Sequence, residues 1–521
     1  MIEKISRRNF IKSSAAMTFA LATMNFWTSD VQAAKICTAR TRYGTYNGFI
    51  NKRGVQTWLG IPYAAPPVGN LRWRAPEKLS PSDKTFDAKK FSPSPMQGKD
   101  ENETASLFGQ SEDCLTLNIW TRGIKKNLPV MVFIHGGAFS SGDTGDPLYN
   151  GANLAAANNV VVVTINYRLN VFGFMNFAAI DSAFEDSGYL GIKDQVAALT
   201  WIKENISEFG GDPDNITVFG ESAGSTSVML QMVNPAAKGL FNKAIPQSGI
   251  IAMYHTPEES CALTEKFMKL GGYKNMRELM NKSAAELLAT YEKFCDNRPF
   301  LNEIDYFPTC DGKYLPLHPL KALKDGAARG IKLMTGTTAD EYRYWNIYDE
   351  HFTDYIDEFH KVISPEVYES EFTNAEEIYN LWRTKHTGAD YLEFVNQLDW
   401  RVGQELAAEY QSAYDDVYFY LFTQESPDKK LRACHAIDLP FVFGNPDSVI
   451  EPNPSKRFIR EVQAAWVNFA TDGTPRADWK KYKADDRQTM EINSKAWTCR
   501  KDLNTDNLNE LRHVYEDNLL D

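Results

Sequence analysis

Ile216-Thr217-Val218-Phe219-Gly220-Glu221-Ser222-Ala223-Gly224 is the stretch on which the fold turns. Its first four residues are apolar or β-branched and read as a short buried strand. The next five have the G-x-S-x-G spacing and lead into residues able to begin a helix. A sharp strand-to-helix turn with serine at its apex holds the hydroxyl out, and glycines on both sides tolerate the crowding there. A Gly-rich turn with an incidental serine has the same letters, so the surrounding chain has to decide between them.

Working outward, Val130 to Ile134 and Val160 to Ile165 are apolar runs of parallel-sheet character, and each is strand-length. Between Ile192 and Phe209 the apolar positions Val196, Leu199, Ile202 and Ile206 keep helical spacing. Strand and helix alternate, which predicts an α/β fold whose parallel sheet is joined by crossover helices. From Tyr43 to Pro76 short apolar runs broken by Gly and Pro predict strands and turns. Ile331 to Gly336 and Tyr418 to Phe422 read as later strands. Residues 258–293 and 355–415 are charged and helix-prone, as expected of helical insertions lying over a sheet. No repeat or linker divides the chain, so residues 34–521 are expected to form one elaborated domain.

The chain has 521 residues, 43% of them hydrophobic, enough for a large core. A net charge of −12 with no block of Lys and Arg beyond the N-terminus argues against a nucleic-acid partner. Ser6-Arg7-Arg8-Asn9-Phe10-Ile11-Lys12 resembles a twin-arginine export signal. The apolar stretch Ala15 to Trp27 follows it, and Val31-Gln32-Ala33 offers a cleavage site. That stretch is shorter than the roughly 20 residues of a spanning helix, and Thr18, Thr23 and Asn25 interrupt it. Residues 1–33 are therefore expected to be a signal peptide of a bacterial protein sent folded to the periplasm, with no membrane association after its removal. Seven cysteines are scattered without metal-ligand spacing, and no H-E-x-x-H occurs. No metal or cofactor is expected.

A serine hydroxyl is a weak nucleophile unless a base lies within hydrogen-bond reach and a carboxylate orients that base. His435, in Cys434-His435-Ala436-Ile437-Asp438, follows the late strand by a loop. Its place after Ser222 fits the order nucleophile, acid, base. The acid should lie between them on a post-strand loop, and Thr337-Thr338-Ala339-Asp340-Glu341 is such a loop. Residue chemistry leaves Asp340 and Glu341 both open. Asp438 is a third carboxylate, but it would leave the usual order unfilled. The developing alkoxide needs backbone N–H donors. His135-Gly136-Gly137-Ala138-Phe139, after the strand ending at Ile134, lets the backbone come close. His135 itself is expected to brace that loop.

These motifs, with Gly60-Ile61-Pro62-Tyr63-Ala64, Pro66-Pro67-Val68-Gly69, Glu112-Asp113-Cys114-Leu115, Asn166-Tyr167-Arg168-Leu169, Phe209-Gly210-Gly211-Asp212-Pro213 and Phe441-Val442-Phe443-Gly444, resemble the type-B carboxylesterase and cholinesterase family over nearly the whole mature chain. The resemblance implies an α/β-hydrolase fold, with a large mostly parallel central sheet flanked by helices and helical insertions over the active site. It implies Ser222 as nucleophile, Glu341 as acid and His435 as base, with the N–H groups of Gly137, Ala138 and Ala223 as oxyanion hole. Ala138 stands where many relatives have a third glycine, and it keeps the donor. Met96 stands near a family cysteine that bridges to the equivalent of Cys114, so that disulfide is not expected. No cysteine lies between Cys261 and Cys295 to close a second family loop. Glu101 to Gln110 contains no tryptophan to match the choline-binding aromatic, which weakens a choline-ester assignment. Ile304 and Tyr306 fall near acyl-pocket positions, where core packing is an equally good explanation. With Glu221 they are the candidate substrate contacts.

The expected activity is hydrolysis of a small-molecule carboxylic ester through an acyl-enzyme. An amide or aryl-polyphenol ester hydrolase would use the same groups. A non-catalytic binding protein on the same scaffold is the rival from another class, and such relatives typically lack the nucleophile that is present here.

Overall fold

Apolar residues on successive positions of one strand point to opposite faces, so a strand that is apolar throughout has to be covered on both sides. The computed structural model describes residues 35–98, 107–123, 125–296, 306–347, 352–353, 375–387 and 391–519. In it Val130, Val132 and Ile134 enter one buried cluster while Met131 and Phe133 enter a second on the other face. Val161, Val163 and Ile165 likewise separate from Val162, and Val218 from Phe219. The expected signal peptide, Ile304 and residues 355–374 and 388–390 of the second insertion lie outside the described residues.

The strands are β1 (Lys35–Thr41), β2 (Gly44–Ile50), β3 (Gln56–Pro62), β4 (Thr85–Asp87), β5 (Thr116–Thr121), β6 (Leu128–Ile134), β7 (Val161–Ile165), β8 (Gly211–Glu221), β9 (Lys243–Gln247), β10 (Lys332–Thr338), β11 (Val417–Phe422), β12 (Thr489–Ile492) and β13 (Trp497–Arg500). They form one 13-stranded sheet in the order β1-β2-β3-β5-β7-β6-β8-β9-β10-β11-β12-β13, with β4 beside β2. Pairing is parallel from β7 through β12 and antiparallel at both margins. This is the large, mostly parallel sheet flanked by helices of an α/β-hydrolase fold.

Helices Leu190–Asn205 and Ala223–Val233 bury Leu190, Ile192, Ala198, Leu199, Val228 and Leu230 against one face. Helix Lys456–Asp472 covers the other with Phe458, Val462, Trp466 and Phe469. The first insertion holds helices Pro257–Gly271, Met276–Met280 and Ala284–Asp296. Thr256 and Glu259 cap the first of these reciprocally. The described part of the second insertion holds helices Ala375–Lys385, Tyr391–Val395 and Gly403–Ser412, with a π-helical turn at Asn396–Val402 before the last. No described helix is long and apolar enough to cross a membrane.

Candidate active site

In a parallel sheet, chemistry gathers where several strands end together at their carboxyl edge. β6, β8, β10 and β11 deliver the HGG loop, Ser222, Glu341 and the His435 loop to one such edge, with β9 lying between β8 and β10. Ser222 terminates β8 with φ 59° and ψ −127° and begins helix Ala223–Val233. A β-carbon bears this left-handed backbone only at a cost, so the surroundings must hold it there. They do so from both sides. The Ser222 N–H donates to the Gln247 carbonyl on β9 at 3.0 Å, and its own carbonyl accepts from Thr226 N at 3.0 Å. A side chain at Gly224 would run into the Ile134 carbonyl at the end of β6, which is why that position is glycine.

The two acid candidates part company at the end of β10. A short helical turn over Glu341–Ile347 carries Glu341 inward, where only 1% of it is exposed. Thr338 N donates to its Oε1 at 2.8 Å, and its Oε2 lies 2.6 Å from His435 Nδ1. Asp340 is half-buried and lies 3.5 Å from both Arg343 and Arg432. Asp438, the third carboxylate, is buried behind the site, where it accepts from Gln247 Nε2 at 2.7 Å and Tyr420 OH at 3.3 Å. Burial pushes it up to about 7.

His435 is 5% exposed and meets a carboxylate at each ring nitrogen. Glu341 takes Nδ1, and Glu221 Oε1 lies 3.0 Å from Nε2 as an ion-pair contact. Only the Glu341 contact is a hydrogen bond; Glu221 Oε1 has no hydrogen-bond partner among the described residues and acts on the ring through its charge. Accordingly, burial alone would lower the imidazole, but Glu221 and Glu341 outweigh it and raise His435 to about 10. Burial also raises Glu221, against the pull of His435. Ser222 is half-buried, and its hydroxyl makes no hydrogen bond among the described residues.

The HGG loop turns through three successive residues of positive φ, Gly137 (100°), Ala138 (53°) and Phe139 (57°). Ser140 N and Ser141 N both donate to the Gly137 carbonyl at 2.9 Å, and Asn170 N donates to that of Phe139 at 2.7 Å. The Gly137 and Ala138 N–H groups donate to nothing among the described residues. Ala223 N opens a helix, where no preceding turn supplies an acceptor. His135 is wholly buried, held by the Gly136 carbonyl at 2.8 Å and stacked on Tyr167 at 4.5 Å. Burial lowers it to about 4, so it stays neutral at pH 7.

Of the candidate substrate contacts, Glu221 sits beside the imidazole, while Ile304 lies outside the described residues. Tyr306 is buried with its ring against Tyr291 and Phe294, and these contacts are core packing. The six described cysteines are all free, among them Cys114, so the bridge weakened by Met96 does not form. Among the described residues no group of three His, Cys, Asp or Glu is arranged to hold a metal. Sequence reading missed an aromatic wall around the imidazole, made by Trp400 at 4.5 Å, Trp345 stacked at 5.6 Å and Tyr344 edge-on at 6.0 Å. The density of rings just after Glu341, at Tyr342, Tyr344 and Trp345, was the available signal.

A model of the carboxylesterase family matches residues 36–511. The para-nitrobenzyl esterase of Bacillus subtilis (strain 168) is 37% identical over 474 residues, covering 87% of this chain and 94% of that protein. The fumonisin B1 esterase of Sphingopyxis macrogoltabida is 34% identical over 455 residues, with 82% of each covered. The solved structure of a thermophilic pNB esterase agrees with a TM-score of 0.81 at 35% identity, over 91% of this chain and 99% of that one. The likeness extends from the first strands to the last helix and spans the serine turn, and the chain therefore belongs to the carboxylesterase family and is a carboxylesterase.

Proposed function

We propose that the chain hydrolyses small-molecule carboxylic esters through an acyl-enzyme, with Ser222 as nucleophile, His435 as base and then acid, and Glu341 as the orienting carboxylate. The buried 2.6 Å contact between Glu341 and His435, on the segments that follow β10 and β11, is the observation that supports this most directly. Glu341 fixes the proton on Nδ1 and leaves Nε2 to serve the hydroxyl. Nε2 must be unprotonated to accept from Ser222 Oγ, and the Glu221 charge 3.0 Å away opposes that state. Attack forms a tetrahedral alkoxide, for which the N–H groups of Gly137, Ala138 and Ala223 are the donors. His435 returns the proton to the leaving alcohol, and water attacks the acyl-serine by the reverse route.

Ser222→Ala should lower kcat by roughly 10⁴ or more with the fold retained. Near-normal turnover of an activated aryl ester by that variant would sink the assignment. A phosphonate probe should label the parent at Ser222, whereas an unlabelled folded parent would favour the binding-only rival. Amide and aryl-polyphenol ester substrates use the same groups, so a substrate panel separates them from simple alkyl esters. We also propose export by the twin-arginine route to the periplasm, on the motif at Arg7 and Arg8. Arg7→Lys/Arg8→Lys should then hold the protein in the cytoplasm, as read by cell fractionation.

A further inference from the structure

The π-helical turn Asn396–Val402 packs against the turn that carries Glu341 and against His435 itself. Asn396 Oδ1 accepts from Tyr342 N at 3.1 Å, fixing the backbone one residue beyond Glu341. Asp399 Oδ2 accepts from the Tyr342 hydroxyl. Trp400 packs its ring 4.5 Å from His435 and 6.0 Å from Tyr342. Positions 396, 399 and 400 have helical spacing, so one face of the turn meets the acid loop and the base together. All three side chains are buried. The turn is itself pinned from behind, since the Tyr515 hydroxyl of helix Thr505–Leu519 donates to the Leu398 carbonyl.

A buried carboxylate is a costly way to fill space, and an apolar residue of the same size would pack there at less cost. Among the described residues no cation pairs with Asp399, and neighbouring Arg401 lies 3.5 Å from Glu405 instead. Burial pushes Asp399 up to about 7, against the pull of the Tyr342 hydroxyl. Such a group persists where the bond it makes fixes a geometry, and π-turns recur at functional positions for the same reason.

We propose that Tyr342 and Asp399 are positioning residues, whose phenol–carboxylate bond locks the acid loop to the π-turn so that Glu341 and His435 meet at a set distance. The proposal rests on Glu341 and His435 acting as acid and base. Tyr342→Phe keeps the ring and removes the bond. It should lower kcat about tenfold with KM within about twofold, since small displacements of a catalytic group are expensive. A loosened Glu341 supports the imidazolium less, so the acid limb of the kcat profile should move to lower pH. Asp399→Asn keeps an acceptor for the phenol and should retain most of the kcat.

Tyr342→Phe also strands a buried charge, so a second variant separates stability from positioning. Tyr342→Phe/Asp399→Leu removes that charge, and its Tm should return to the parental value while kcat stays low and the acid limb stays shifted. Recovery of the parental kcat together with Tm would overturn the proposal and reduce the pair to packing. Ser222→Ala, run alongside, keeps the two readings apart. If it is inactive while the double variant runs at the parental rate, the positioning role alone falls. If Ser222→Ala itself turns over normally, the acid-base reading falls and takes this one with it.

Discussion

His435 held between two carboxylates is the residue-scale fact with most consequence. In the proposed mechanism Glu341 orients the imidazole and Glu221 works against it, because a carboxylate at Nε2 favours the imidazolium over the free base. Glu221→Gln removes that charge, so the imidazole pKa should fall and the acid limb of kcat/KM should move to lower pH. A profile that does not move would show that Glu221 exerts no field on the base. Glu341→Gln should cost on the order of 10³ to 10⁴ in kcat by leaving the wrong tautomer at His435. Asp340→Asn, at a half-buried site paired with Arg343 and Arg432 and away from His435, should stay within about threefold; equal losses in the two variants would leave the acid unassigned. Ser222 was singled out by the G-x-S-x-G spacing after a strand, and His435 as candidate base by its place later in the chain. Asp340 and Glu341 were not separable by residue chemistry, since adjacent carboxylates on a loop look alike until burial distinguishes them.

Elements decide whether the serine turn forms at all. β6, β8 and helix Ala223–Val233 converge at Gly224, where the Ile134 carbonyl occupies the place of a side chain. Gly224→Ala should therefore destabilise the protein by about 3 kcal/mol or more, or abolish soluble expression, as overpacking against backbone does. A Tm unchanged within a degree would refute the contact. The loop bearing His435 is tied to β9 through Asp438 and Gln247. Asp438 has its folded pKa raised from 3.8 to about 7 by burial. The folded state thus binds the proton more tightly, and stability is lost as pH rises from about 4 through 7. Asp438→Asn cannot ionise, so its Tm relative to the parent should be higher at pH 8 than at pH 5. A difference independent of pH would contradict the buried charge. Most of the central strands could be read from apolar runs, but β9 could not. Pro246 interrupts Lys243–Gln247 and reads as a breaker, yet its carbonyl accepts from the Thr335 hydroxyl on β10 at 2.8 Å, a tertiary contact that no local pattern announces. The π-turn was equally silent, because its sequence looks like ordinary helix.

At the scale of the whole molecule, a core on both faces of a 13-stranded sheet makes covalent staples unnecessary. The six described cysteines are free, four of them buried, so a reducing agent should leave Tm unchanged within about a degree. A marked fall in Tm under reduction would reveal a bridge. The order of the sheet has a further consequence for how such a protein can change. β10 and β11 lie side by side, with Leu333 opposite Val417 and Thr338 opposite Phe422, although residues 339–416 separate them in the chain. Whatever the excursion does, it must return to the same register. Its outer helices are therefore exchangeable in a way that the strands are not. Transplanting another relative's excursion between Ile347 and the helix at Tyr391, while keeping Glu341 and the π-turn, should leave the pairing of β10 with β11 intact.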